Sequence, residues 1–586
     1  MSYHGLQILY SVMNGIDGVW CERVFAPWVD MEEQMRKSGM ELYGLESGDP
    51  LQDFDIIAFS IGHELAYANI VNMLDLSGLS LKSKDRSESD PLVIAGGICC
   101  FNPEPLADFI DLFVIGEGED VISELIALYR ECRDYERIAP QPLCGLDERG
   151  GSSSMGDQGR GNCEKERFLN SVSQIDGVYV PSLYNVLYNS DGTIKEVVPR
   201  NRAQFPVMKR VIKNIDESYH PKQMIVPSTS LVHDRAVLEL FRGCIRGCRF
   251  CLAGHVNRPV RQRSYSHLIR QGIEQIESTG YDEISLLSLS TSDYENLYKL
   301  CDGLIEYCQP RMINLSLPSL RVDNFSMELM EKVQKVRKSG LTFAPEAGSQ
   351  RLRDVINKKI SENEFLNTCQ IAFEGGYNSV KLYFMIGLPT ETDEDIIAIA
   401  NLSRAVLDIW KRHAANKSRG IRITVSASCF VPKPHTPFQW ESQISMEEFA
   451  RRAELLKTSF HNKAIVFNWH SPEQAYVEAV LARGDRRLGN AIETAWKLGA
   501  RFDSWSESFS LDRWLQAFEE CGLDPDFYSS RERERAEVLP WSVVSAGLRN
   551  DSLWAERMAA RECRTTPDCR EMCSACGVCE SINKTL

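Results

Sequence analysis

Two short runs of cysteines hold the residues of this chain best suited to chemistry. Cys244-Ile-Arg-Gly-Cys248-Arg-Phe-Cys251 spaces three thiols as C-x3-C-x2-C, and Cys569, Cys573, Cys576 and Cys579 place four more near the end of the chain. Thiolates are soft ligands that select zinc and iron–sulfur clusters. Three at the first spacing can hold three irons of a cubane, which normally takes four ligands, so one iron stays open to a substrate or cofactor. The competing chemistry is a zinc site, which wants four protein ligands. His255, four residues past Cys251, is the candidate fourth. The second run carries four sulfurs of its own, with Cys563 spare, and fits a second 4Fe–4S cluster or a structural zinc. Too few large apolar residues accompany this tail to pack it as core, so it is expected to be metal-bound or disordered. The scattered Cys21, Cys132, Cys301, Cys308, Cys369, Cys429 and Cys521 read as small hydrophobes.

The elements that must position these thiols read as α/β. Ala236–Phe241 alternates as a strand and runs directly into the first cysteine run. Further strand candidates are Glu283–Leu287, Met312–Leu317, Leu341–Ala344, Val380–Ile386 and Ile421–Cys429, with helical stretches such as Leu268–Ile276, Ser326–Val336 and Asp395–Trp410 between them. Six β/α units in succession predict a partial (β/α)6 TIM-like barrel at 231–445, whose active site belongs at the carboxyl ends of its strands. The alternative is an open doubly wound sheet. Residues 1–135 carry apolar runs (Phe54–Ile61, Pro91–Ile94, Leu112–Ile115) that end in glycine turns, as a Rossmann-like parallel sheet does. No G-x-G-x-x-G follows a strand, so a dinucleotide site is not supported. Residues 136–230 read as a connecting module with a flexible insertion, Gly150–Gly161, and short strands at Gly177–Val180 and Lys195–Val198. Residues 446–586 read as helical, with one strand candidate at Ala464–Phe467, a charge run at Arg531–Glu537 expected as a solvated helix face, and the cysteine-rich tail.

Composition narrows the class. With 586 residues, more than one domain is expected. No apolar run is long enough to span a membrane, and the N-terminal stretch has no signal-peptide pattern, so a cytoplasmic protein is expected. The net charge of −16 argues against a diffuse basic field for nucleic acid. Arg258, Arg261 and Arg263 remain a local candidate for docking RNA, or a solvated loop.

The aromatic Phe250 before the last cysteine makes the first run specific: it resembles the signature of the radical S-adenosylmethionine (radical SAM) superfamily. That resemblance implies a 4Fe–4S cluster on Cys244, Cys248 and Cys251, whose open iron chelates S-adenosylmethionine and cleaves it reductively to a 5′-deoxyadenosyl radical. It also implies roles along the later strands. Ser288-Leu-Ser290-Thr291-Ser292-Asp293 stands where the family binds the methionine amino group with a GGE segment, from which it departs. Phe343-Ala-Pro-Glu346-Ala-Gly348 stands where the family faces the ribose, with Arg351 and Arg353 as candidates for the methionine carboxylate. Met385-Ile-Gly387-Leu-Pro-Thr-Glu391 resembles the adenine-contacting glycine segment, and Phe430 heads a Pro-rich stretch that covers the adenine and is similar to one in methylthiotransferases.

Nearly the whole chain resembles an uncharacterised bacterial family that fuses a cobalamin-binding-like domain to a radical SAM core. The matching stretches include Phe25-Ala-Pro-Trp-Val-Asp-Met-Glu, Asn102-Pro-Glu-Pro and Ile115-Gly-Glu-Gly-Glu119. The D-x-H-x-x-G motif of an axial histidine is absent, and His63 lacks its context, so the domain holds cobalamin or serves as a scaffold or substrate cap. The N-terminal sheet is expected to lack the first strand that family members carry. The resemblance implies a reducing partner such as flavodoxin or ferredoxin, and methylation or methylthiolation of a macromolecule, RNA or protein, as the reaction. The rival readings are an iron–sulfur electron-transfer or scaffold protein without radical chemistry, and a zinc-dependent binding module.

Overall fold

The computed structural model describes residues 3–138, 158–222, 224–228, 234–318, 332, 341–418 and 420–584. Ile56–Ser60, Leu92–Gly96 and Leu112–Val114 form adjacent parallel strands, with Ile57 opposite Val93 and Ala95 opposite Phe113. Val93, Leu112 and Phe113 are fully buried, as strands covered on both faces require. Val178–Tyr179 joins the Leu112–Val114 edge antiparallel, so this sheet draws in a strand from the segment expected as a connecting module.

Beyond residue 235 the strands are again parallel. Ala236–Glu239, Glu283–Leu287 and Asn314–Ser316 make one sheet, and Leu341–Glu346, Ser379–Ile386, Arg422–Cys429 and Ile465–Trp469 make another. No closed barrel forms among the described residues. The longest strands show why they fold so: in Ser379–Ile386, Val380, Leu382, Phe384 and Ile386 alternate inward at period two. Helices return the chain between them. Glu362–Glu374 starts with a capping box in which Ser361 and Glu364 satisfy each other's backbone N–H groups. Asp393–His413 has three acidic residues in its first turn and three basic ones in its last, as the helix dipole favours. The Ile465–Trp469 strand, expected at Ala464–Phe467, extends the second sheet past residue 445.

The two ends of the chain share one hydrophobic core. Val477, Leu481, Ile492, Trp514 and Phe518 from the C-terminal helices pack in the same cluster as Val71, Leu74, Val93 and Phe113. Several expectations change. Gln158–Gly161 of the expected flexible insertion is the start of the Gln158–Val172 helix, while 150–157 lie outside the described residues. The helix expected at Ser326–Val336 also falls outside them, apart from residue 332. Arg531–Glu534 is not helical, and Arg533 is buried, donating to the carbonyl of Arg483 and lying against Trp541. Interior carbonyls stabilise that guanidinium where the charge run alone suggested water.

Candidate metal centre and cofactor site

The Ala236–Glu239 strand feeds Phe241–Arg242, which pairs antiparallel with Arg261–Gln262. Gly243 then turns the chain at φ +88, with its α-carbon pressed so close that a β-carbon would sit 2.6 Å from the Pro259 carbonyl oxygen. Only glycine meets both demands. Cys244, Cys248 and Cys251 follow, all half-buried, and the Leu252–Val256 helix closes the loop. Backbone amides point at the sulfurs: Arg246 N lies 3.5 Å from Cys244 Sγ, and Gly254 N lies 3.3 Å from Cys251 Sγ. Burial pushes the Cys251 thiol up to about 12, and the neighbouring Cys248 and Cys244 thiols add to the rise. Three thiols on one loop offer soft ligands to a cationic centre.

The size of that cation follows from spacing. Among the described residues, no three cysteine sulfurs lie within 4.8 Å of one another. A tetrahedral zinc about 2.3 Å from each sulfur would draw them to about 4 Å. His255, the candidate fourth zinc ligand, places Nδ1 2.9 Å from the Cys251 carbonyl oxygen, and it belongs to no group of close ligand atoms. The donor set fits a cubane better than an ion.

The loop is anchored on every side. Arg246 pairs with the buried Asp293, and Ser290 donates to the same carboxylate at 2.6 Å. Arg249 is fully buried and donates to the carbonyls of Asp354, Val355 and Arg564 while pairing with Glu556. Asn357 Nδ2 donates to the Gly247 carbonyl at 3.1 Å.

The remaining expected site residues stand at or beyond the carboxyl ends of the strands. Ser288 Oγ sits 3.0 Å from Thr291 Oγ1 in the turn after Glu283–Leu287. Glu346 ends its strand at φ +68 with its carboxylate 3.1 Å from Lys358 Nζ. Gly387 follows Ser379–Ile386 at φ +87, its N–H donating to Glu391 at 2.7 Å. Phe430 follows Arg422–Cys429 and is buried edge-on against Phe438, in a cluster with Ala347 and Leu388 that also receives Phe250 and Met385. Phe250 of the cysteine loop and Phe430 of the last rim segment therefore share one apolar patch.

Residues 238–403 match the family model of the radical SAM superfamily, and residues 5–145 match the model for the N-terminal part of radical SAM proteins. The chain is a radical SAM protein. An uncharacterised protein of Methanocaldococcus jannaschii is 26% identical to this radical SAM protein over 499 residues, covering 83% of the chain and 91% of the relative. A tRNA-2-methylthio-N(6)-dimethylallyladenosine synthase of Lachnoclostridium phytofermentans is 23% identical over 193 residues, 31% of this chain and 41% of that one. Among solved structures, the radical S-adenosylmethionine methyltransferase TsrM from Kitasatospora setae, with cobalamin and a 4Fe–4S cluster bound, aligns at a TM-score of 0.48 and 13% identity over 75% of this chain and 74% of that one. The cobalamin-dependent radical enzyme OxsB aligns at 0.44 and 12%, over 99% and 78%.

Five expected residues of this radical SAM protein have other work. Arg353 is fully buried and donates to the carbonyls of Ala347, Gly348 and Ile360, bracing the turn after Glu346, with the Glu362 carboxylate 3.9 Å away. Arg351 pairs with Asp395 and donates to the Thr390 carbonyl at 2.8 Å. The basic run is no RNA-docking patch. Arg258 and Arg263 are buried on carbonyls, and Arg261 holds the Glu117 carboxylate with two bonds of 2.7 Å. Each guanidinium found an interior acceptor that sequence position could not reveal.

Sequence reasoning also passed over Lys433. Its buried ammonium sits 2.7 Å from Glu64 and 2.8 Å from Glu478, joining the rim to the N-terminal sheet. The only signal was its place in the Pro-rich stretch after the sixth strand. His63 caps the turn that carries Glu64, its Nδ1 accepting the Leu65 N–H while Nε2 lies 3.7 Å from Glu478. His63, Glu64 and Glu478 bring ligand atoms within 4.8 Å of one another, but the Lys433 ammonium already neutralises the two carboxylates there.

Proposed function

We propose that Cys244, Cys248 and Cys251 hold a 4Fe–4S cluster at which S-adenosylmethionine is reductively cleaved, starting a methyl or methylthio transfer to a macromolecule. One observation carries this reading: three thiols share a loop at the carboxyl end of a parallel strand, too widely spaced for one ion, with polar and apolar rim segments from four neighbouring strands around them. The bound cluster supplies the electron and the open iron. This chain's residues bind and orient. Phe250, Phe430 and Met385 offer an apolar face suited to an adenine, and Ser288 and the backbone after Gly387 offer polar groups for the rest of the cofactor. The N-terminal sheet and the Pro-rich stretch cover the rim and exclude water. Cobalamin in that sheet would be held without an axial ligand from His63; a shift of its visible absorption on adding the protein tests binding. A reduced flavodoxin- or ferredoxin-type protein is the expected electron source.

The experiment is anaerobic reconstitution followed by a chemical assay. The reduced protein should convert S-adenosylmethionine to methionine and 5′-deoxyadenosine, and the Cys244→Ala/Cys248→Ala/Cys251→Ala variant should lose both the cleavage and one cluster's worth of iron and sulfide. Stoichiometric zinc at this loop, or cleavage unchanged in the variant, would sink the proposal.

A further inference from the structure

The tail cysteines do not trail into solvent away from the first loop. The backbone N–H of Cys569 donates to the carbonyl of Ile245, the residue after Cys244, at 3.4 Å. Arg249, buried inside the three-cysteine loop, donates to the Arg564 carbonyl, and Thr566 N–H donates to Asn357, whose amide holds Gly247. Arg570 reaches Asp293, the partner of Arg246, at 3.3 Å. One cleft is lined by Gly247, Arg258 and Asn357 from the core and by Cys569 and Cys576 from the tail.

Cys569 and Cys576 face that cleft together with Arg258, and Cys573 and Cys579 lie three residues from Cys576 on either side of it. Lys209, buried beneath, donates to the carbonyls of Val256 and Arg258 and feels the Cys576 thiol. A cubane on four thiolates is a net anion, and the Arg258 guanidinium in the same cleft favours its reduced form, since net charge sets cluster potentials.

We propose that Cys569, Cys573, Cys576 and Cys579 hold a second 4Fe–4S cluster that relays electrons to the cluster on Cys244, Cys248 and Cys251. The inference rests on the reading of the first loop given above. Cys573 and Cys579 are exposed, so the tail presents its cluster to a protein donor. A low-potential flavin or iron–sulfur protein gives one electron to the tail cluster. The tail cluster returns to its oxidised state as that electron crosses the Cys569–Ile245 hydrogen bond to the loop cluster. The electron is spent in breaking the sulfonium carbon–sulfur bond, and no proton moves. Sulfur spacing again argues against zinc here, because no three cysteine sulfurs among the described residues approach within 4.8 Å.

The test uses the full chain, reconstituted without oxygen. Wild type should hold about eight irons and eight sulfides per chain, and the Cys569→Ala/Cys573→Ala/Cys576→Ala/Cys579→Ala variant about four of each. The reduced wild type should give a spin-coupled electron paramagnetic resonance spectrum, and the variant a simple one-cluster spectrum. Cys573→Ala, at an exposed position, guards against misfolding. Its cleavage driven by reduced flavodoxin should fall at least tenfold further than its cleavage driven by dithionite. Zinc in the tail, an unchanged iron count in the fourfold variant, or equal loss with both reductants would overturn the relay. Cleavage by a wild type that holds only one cluster would sink the relay and leave the first loop's reading standing. Two clusters with no cleavage would sink that reading.

Discussion

Arg246 and Asp293 form a buried ion pair, Nε to Oδ2 at 2.7 Å, that fastens the three-cysteine loop to the turn after the Glu283–Leu287 strand. The pair makes the loop's shape a property of the sheet as well as of its own sequence. Ser290 and Arg570 share the carboxylate, so the rim and the tail meet at this one side chain.

Breaking that pair from one side leaves the buried Arg246 with the more distant Asp568, 3.9 Å away, and costs up to about 3–5 kcal/mol. Asp293→Ala should lower stability by that order in denaturant unfolding and reduce the iron retained after reconstitution. Ser290→Ala removes one hydrogen bond to the same carboxylate and should cost about 1.5–3 kcal/mol, the range for bonds to charged groups. Equal effects from the two variants would contradict the central place given to the pair.

Gly387 is held by geometry. Its φ is +87 and a β-carbon would lie 2.5 Å from Phe449 Cε1. Gly387→Ala should cost at least about 1–3 kcal/mol from backbone strain alone. In a Phe449→Leu background the same change should cost less, because the ring that clashes is gone. Unfolding midpoints of the four proteins in this cycle decide it; strict additivity would rule out the clash.

Glu391 makes stability depend on pH. Burial raises its carboxyl to about 7 and outweighs the Gly387 N–H and Arg452 that favour the charged form. The folded protein therefore holds a proton that the unfolded chain has released above its ordinary value of 4.5. Stability should fall as pH rises from about 4.5 to about 7, by about 3 kcal/mol in all. Glu391→Gln should flatten that segment of the profile, measured by denaturant unfolding at each pH. A variant with the same slope as wild type would refute the assignment.

Lys433 joins the rim to the N-terminal sheet. Lys433→Met leaves Glu64 and Glu478 facing each other without their cation, a loss of about 3–5 kcal/mol. Amide hydrogen exchange should quicken at residues 61–67 and 430–436. Adding Glu64→Gln should recover part of the loss, and no recovery would mean that the contact is packing alone.

The sequence by itself determined whatever depends on near neighbours. The spacing of Cys244, Cys248 and Cys251, with Phe250 among them, carried the resemblance to the radical SAM superfamily, since ligand spacing along one loop is a local property. Period-two alternation marked Ser379–Ile386, and apolar runs ending in glycine marked the N-terminal strands, because periodicity reports which face is buried. Only the tertiary structure decided what depends on distant partners. Arg353 looked like a cofactor ligand and is spent on three carbonyls; Arg258, Arg261 and Arg263 looked like a docking patch and are held inside. An arginine's sequence neighbours do not say whether an interior acceptor awaits it. The meeting of Cys569 with Ile245, and of Arg246 with Asp293, was likewise set by folding, because such contacts join segments far apart in the chain and exist only once the sheets have packed.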